Sequence, residues 1–227
     1  MVLLLTALSG IAWTVVYVEA IRIGFAQRTY ALPVAALALN IAWESIYSVW
    51  GLADEPGLQA WVNVAWALAD LVIVATFLRY GRAEFPSWVT RTLFAWATAG
   101  LFATAFVVQW AFVAEFGFPQ AARYTAFLQN LLMSGLFIAM FVARGGPRGQ
   151  SLTIAVAKWV GTAAPTVVFG VYEGSAFVLT LGVLCFVLDA AYVGLMARAR
   201  AHPEAFESGG GRGQPSSVTS GRPVSTT

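Results

Sequence analysis

Three carboxylic acids stand where so apolar a chain would ordinarily place leucine. Glu44 lies in L-N-I-A-W-E-S-I-Y-S-V-W-G (39–51), Asp70 in N-V-A-W-A-L-A-D (63–70) and Asp189 in D-A-A-Y (189–192). Each shares a helical stripe with other functional groups. Asn40, Trp43, Glu44 and Tyr47 follow at i, i+3, i+4 and i+7; Asn63, Trp66 and Asp70 form a second stripe; Cys185, Asp189 and Tyr192 form a third. A charge at the centre of a membrane span costs about 2.5–3.5 kcal/mol on insertion scales, so such residues turn inward and mark function. Removal from water disfavours the ionised form of a carboxyl group, leaving a neutral acid with a proton to give. The aromatic neighbours suggest a use for it. Protonating an alkene or epoxide creates a carbocation, which an aromatic face stabilises by about 2 kcal/mol or more when desolvated, in a pocket dry enough to keep water from quenching it. The same acids would suit a proton-coupled transporter, and composition does not separate the two.

The elements that must position these groups are membrane spans. Of 227 residues, 59% are hydrophobic and 11% charged, against about 25% charged in a soluble domain. The apolar residues come in blocks of roughly 20, enough to cross the hydrocarbon core. Seven spans are predicted, at about 2–21, 31–50, 59–78, 92–113, 124–143, 152–171 and 176–197. The expected fold is therefore all-α: a polytopic membrane protein with seven transmembrane helices in a compact bundle (1–200), followed by a Gly/Ser/Pro/Thr-rich disordered tail (201–227). The apolar start lacks a basic n-region and reads as the first span rather than a cleaved signal peptide. Arg22/Arg28, Arg79/Arg82/Arg91, Arg144/Arg148 and Arg198/Arg200 fall on alternate loops and the C-terminal end, while the other side offers Arg123. The positive-inside rule then puts the N-terminus outside and the C-terminus in the cytoplasm.

Other residue types narrow the chemistry. A single cysteine, Cys185, excludes an internal disulfide or a zinc cluster, and His202, the one histidine, lies near the tail. Net charge is +2 with scattered basic residues, so nucleic acid is not an expected partner. Every Arg and Lys is placed at a span end, Lys158 deepest, so the three acids are expected to lack basic partners at membrane depth. Gln109, Gln129 and Asn130 are further inward candidates. Among nine tryptophans, Trp50, Trp61, Trp88 and Trp159 read as interfacial anchors; Trp43, Trp66, Trp96 and Trp110 are deeper and could line a cavity. Buried acids can also serve only as glue between helices, through hydrogen bonds of about 0.6 kcal/mol, but three unpaired acids exceed that need. Span seven has no lysine for a retinal Schiff base.

The segment I-R-I-G-F-A-Q-R-T-Y-A-L-P-V-A-A-L-A-L-N-I-A-W-E-S-I-Y (21–47) resembles the small integral-membrane terpene cyclases of fungal meroterpenoid and indole-diterpene pathways and of actinobacterial indole-sesquiterpene (drimentine and xiamycin-type) pathways. The likeness rests on a basic first loop, the Tyr30-x-x-Pro33 entry to span two and the N-x-x-W-E motif. W-A-L-A-D (66–70) and D-A-A-Y (189–192) are similar to the family's later acidic positions. This resemblance implies a metal-independent cyclase needing no cofactor, with Glu44 and Asp189 as the essential acids, one donating the proton and the other supporting it. It implies a prenylated substrate; such a lipophilic chain would enter from the bilayer, and the inward-facing Asn40, Trp43, Tyr47, Asn63, Trp66, Asp70, Asn130 and Tyr192 are the candidate residues to bind it. The expected reaction is ring closure of a farnesyl chain on an indolic acceptor to a drimane-like product, in a bacterial plasma membrane. The alternative is a proton-coupled small-solute transporter.

Overall fold

Lipid offers a backbone no hydrogen-bond partners, so each apolar block must satisfy its own amides, and each does so as a helix. The computed structural model describes residues 1–54 and 56–207. Its long helices are α1 (Val2–Ala26), α2 (Val34–Asp54), α3 (Leu58–Tyr80), α4 (Arg91–Phe116), α5 (Phe118–Ala143), α6 (Leu152–Pro165) and α7 (Ala176–Ala201). A 3₁₀ turn (Gly81–Glu84) follows α3, a π-helical segment (Thr166–Tyr172) continues α6, and a short α8 (Glu204–Glu207) follows α7. There is no strand among the described residues.

Six of these helices are long and apolar enough to cross a membrane: Val2–Ala26, Leu58–Glu84, Arg91–Phe116, Phe118–Ala143, Leu152–Tyr172 and Ala176–Ala201. Helix α2 is not among them, because Asn40, Glu44, Ser45, Tyr47 and Ser48 dilute its hydrophobicity. Packing accounts for the difference. Contacts run α1–α3–α2–α4–α5–α7–α6 and back to α1, with α2 also meeting α5. Helix α2 thus has three long neighbours and buries 11 of its 21 residues, whereas α4 buries only Ala105 and Gln109. A helix shielded on three sides can carry a polar stripe that a lipid-facing helix cannot.

Local signals set the helix ends. Thr90, Ser151 and Ser175 cap α4, α6 and α7 by accepting from the amides of Leu93, Ile154 and Val178, the ordinary role of hydroxyl N-caps. The α4–α5 junction turns on one residue, Gly117 at φ 71°, a left-handed backbone that glycine adopts without steric penalty. So tight a junction lets α5 start at Phe118, about six residues before the predicted span, with Pro119 in its first turn. Pro165 cannot donate to the α-helical ladder, and α6 widens there into the π-helical segment, a feature frequent at functional sites.

The π-helical segment and α7 approach closely where Gly182 faces Thr166 and Gly170 faces the Leu179 backbone. A Cβ at 182 would overlap the Thr166 side chain. Gly182→Ala should therefore destabilise by about 1–3 kcal/mol, the usual cost of overpacking, read as an earlier unfolding transition in detergent. An unchanged transition would show the contact to be slack.

Several expectations need correction here. Trp96 and Trp110 do not line a cavity: they are 74% and 51% exposed on α4, whose outer face has no protein neighbour to cover it. Lys158 is not at a span end but fully buried. It lies six residues into α6, roughly 9 Å of rise, on the buried face formed by Ile154, Ala155, Lys158, Gly161 and Thr162, and its long stem carries the ammonium deeper still. Residues 204–207 form α8, and Phe206 packs edge-on against Phe141 at 5.5 Å, so the packed unit runs past residue 200. The remainder of the tail, 208–227, lies outside the described residues.

Candidate active site

A cavity of about 350 Å³ opens between α1, α2, α3, α5 and the π-helical segment, within the roughly 300–1,000 Å³ of small-molecule sites. Its walls are aromatic and aliphatic, with Trp13, Trp43, Trp66, Phe127 and Phe169 around the polar groups of Tyr17, Asn40, Glu44, Gln129 and Asn130. Thr6, Gln59 and Arg123 line it near the helix ends opposite the arginine-rich loops. Arg123 pairs with Glu173 at 2.8 Å and stacks on the Phe169 ring at 4.5 Å.

The polar floor is one connected network. Asn40 Nδ2 donates to Tyr17 Oη at 2.6 Å and to Asp70 Oδ2 at 2.8 Å. Tyr17 Oη donates to Glu44 Oε1 at 3.4 Å. Gln129 Nε2 donates to Asn40 Oδ1 at 3.4 Å, and Gln109 Nε2 to Gln129 Oε1 at 3.0 Å. Glu44 is 4% exposed and Asp70 fully buried. Neither is in an ion pair among the described residues. Two unpaired buried carboxylates would each cost several kcal/mol of desolvation. Glu44 Oε2 and Asp70 Oδ1 meet no partner among the described residues. Glu44 thus lines the cavity with one carboxyl oxygen anchored by a phenol and the other buried without a hydrogen-bond partner.

The aromatic shell is braced. Tyr17 and Trp66 stack with centroids 5.8 Å apart, Trp43 and Tyr47 lie at 4.8 Å, and Trp43 Nε1 donates to the Ala122 carbonyl at 2.9 Å. Locking indole planes in this way presents their faces, where positive charge is stabilised.

The candidate residues divide between two places. Glu44, Asn40, Trp43, Trp66 and Asn130 line the cavity. Tyr47 packs behind Trp43; Asn63 is buried and accepts from Gln59 Nε2 at 2.8 Å; Asp70 stands behind Asn40. Asp189 and Tyr192 are not part of the cavity wall. Asp189 is fully buried against Lys158, whose Nζ donates to Oδ1 at 2.7 Å, Oδ2 at 2.9 Å and Ser134 Oγ at 2.7 Å. The expectation of three acids without basic partners therefore fails for Asp189. Tyr192 stacks on Phe137 at 5.1 Å. Among the described residues no three His, Cys, Asp or Glu side chains come together as a metal-binding group.

Tyr17, Trp13, Gln59 and Phe169 are cavity residues that sequence reasoning passed over. Helix α1 is apolar all round, so no polar–apolar asymmetry singles out Trp13 and Tyr17. The available signal was their i, i+4 spacing, continued by Ala20 and Gly24 on the same buried face.

Comparison with known proteins identifies the family. Residues 1–201 match the family described as Pyr4-like transmembrane terpene cyclases. The terpene cyclase pyr4 of Aspergillus fumigatus is 28% identical over 210 residues, covering 84% of this chain and 83% of that protein. The Pyr4-family terpene cyclase mfmH of Annulohypoxylon moriforme is 28% identical over 71% of this chain and 66% of its own length. Terpene cyclase macJ of Penicillium terrestre is 32% identical over 72% of this chain and 64% of its own length. No solved structure matches the chain.

Proposed function

The chain belongs to the Pyr4-like transmembrane terpene cyclases, and on that premise we propose that it closes rings on a farnesyl-bearing substrate by protonation. Glu44 is the donor. The observation that carries this reading is a buried carboxyl group, without an ion-pair partner among the described residues, that lines an aromatic cavity. The proton passes from Oε2 to the terminal alkene or epoxide of the chain. The tertiary cation so formed is attacked by the next alkene, and a second attack closes a drimane-like bicycle. Loss of a proton from carbon, which restores the Glu44 acid, ends the sequence, so the product is an isomer of the substrate. Through Asn40 and Tyr17, Asp70 holds the donor in place. Asp189 acts at a distance: with Lys158 and Ser134 it ties α7 and α6 to α5, the helix that carries Phe127, Gln129 and Asn130 to the cavity.

Helix α2 is assigned as the seventh span, shielded by its neighbours. The clustering of arginines at one end supports a cytoplasmic C-terminus. A bacterial plasma membrane stays part of the proposal, although the relatives found are fungal. No observation favours the transport alternative.

Membranes containing the protein, incubated with a farnesylated indole and separately with its terminal epoxide, should convert one of them to a bicyclic product of unchanged mass, identified by mass spectrometry and NMR. Recovery of both unaltered would remove the farnesyl–indole assignment.

Trp43 and Trp66 should control product fidelity. Replacing either by leucine keeps an apolar, though smaller, side chain but removes the π-face, worth about 2 kcal/mol to a desolvated cation, hence roughly thirtyfold in rate by the transition-state relation. Monocyclic and water-quenched products should accumulate alongside that loss. A Trp66→Leu protein with the parent product spectrum would show that the indole only fills space.

A further inference from the structure

At the arginine-rich end of the bundle a second cavity, of about 600 Å³, is lined by Arg28, Arg79, Arg82 and Arg91, with Leu78 and Phe94 among its apolar lining residues. We propose that it binds a phosphate-bearing anion, supplied by the headgroup of an anionic phospholipid.

Four arginines line this one space from three separate segments: the α1–α2 loop, the end of α3 with its 3₁₀ turn, and the first residue of α4. None is in an ion pair among the described residues, although acids at the same end are used elsewhere. Glu19 takes Arg22 at 2.6 Å, and Glu84 takes Arg148 at 3.0 Å and the Thr29 hydroxyl at 2.7 Å. The positive-inside rule accounts for arginine in cytoplasmic loops, but not for this convergence around a shared space. Arg82 Nε is buried and meets no acceptor among the described residues. Its one bond in this region runs from NH2 to the Ser87 carbonyl at 3.4 Å. Arg28 is the one non-glycine at positive φ among the described residues, 51°, a costly backbone state that persists where the surroundings impose it.

The chemistry of the lining names the ligand class. A guanidinium fork matches two phosphate oxygens at once and is weakly hydrated, so it suits phosphate better than an ammonium does. A cluster of this size beside the cytoplasmic leaflet is the footprint expected for anionic lipid. Its surroundings fit a headgroup at the hydrocarbon boundary: Leu78 is 55% exposed and Trp88 71% exposed, offering apolar surface and an indole where acyl chains begin.

The test uses the full chain in nanodiscs of phosphatidylcholine alone or with phosphatidylglycerol, followed by native mass spectrometry and thermal unfolding. Phosphatidylglycerol should stay bound and raise the unfolding temperature. Arg91→Gln, an exposed change on the first turn of α4, should reduce retention about tenfold, the scale of one charge-assisted hydrogen bond to phosphate. Arg82→Lys, which keeps charge but loses the fork, should reduce it too. Arg198→Gln, at the same end but outside the cavity, should leave retention unchanged. Stabilisation by inorganic pyrophosphate in phosphatidylcholine discs, with the same variant pattern, would keep the phosphate site and assign it to a soluble ligand. No dependence on either anion, or equal losses in Arg198→Gln, would overturn the proposal.

Discussion

Glu44→Gln should abolish cyclisation while leaving the protein folded. The amide keeps the shape of the acid and still accepts from Tyr17, but it has no proton to give. General-acid catalysis contributes about 10²–10⁴ in rate, or roughly 3–5 kcal/mol of barrier, so turnover should fall by that factor in membranes containing equal amounts of protein. Asp70→Asn is the informative contrast. By hydrogen bonds Asp70 reaches Glu44 through Asn40 and Tyr17, so its amide should lower the rate about tenfold or less, the scale of a single neutral hydrogen bond. Tryptophan fluorescence, with Trp43 and Trp66 in the cavity wall, provides a check on folding in both variants. If Glu44→Gln retained more than half of the parent rate while Asp70→Asn lost most of it, the donor would be Asp70, working through the same network.

The grouping of Glu44 with Asn40 and Trp43, which the sequence shows, and the pairing of Asp189 with Lys158, which it does not, have a common physical cause. Helical periodicity reports which residues share a face of one helix. It therefore put Asn40, Trp43 and Glu44 on a common stripe, and the cavity lies along that stripe. Periodicity is silent on which helix lies opposite. Asp189, Cys185 and Tyr192 do share a buried face of α7, but that face meets α5 and α6 rather than α2, and so it meets Lys158. Linear position misled in the same way, because residue number along a helix measures rise and not the reach of a long side chain toward the axis of the bundle. The tryptophans make the point from the other side. Trp43 and Trp66 turn inward because α2 and α3 have neighbours on those faces, while Trp96 and Trp110, in equally apolar surroundings, face outward from α4. In a span that is apolar all round, such as α1, nothing in the pattern distinguishes the wall that holds Tyr17 from the wall that meets lipid. Helix existence was the easier inference, since lipid leaves a spanning backbone almost no other choice.

Removing one partner of the Lys158–Asp189 pair should be far more damaging than removing both. Both groups are fully buried, and the ammonium is satisfied by two carboxylate oxygens and the Ser134 hydroxyl. Lys158→Met leaves a carboxylate without its counter-charge, and Asp189→Asn leaves an ammonium facing an amide. Each should cost about 3–5 kcal/mol, the penalty for an orphaned buried charge. The double change Lys158→Met/Asp189→Leu replaces the pair with apolar groups of similar size, which in other buried pairs is close to neutral. Unfolding in detergent should therefore show two strongly weakened single variants and a double variant near the parent. Cyclisation separates the two roles open to Asp189. If it works by tying α7 and α6 to the α5 wall of the cavity, the double variant regains turnover together with its fold. A double variant that folds like the parent yet produces no cyclised product would place Asp189 in the chemistry itself, as a group that exchanges a proton with substrate or with the donor network.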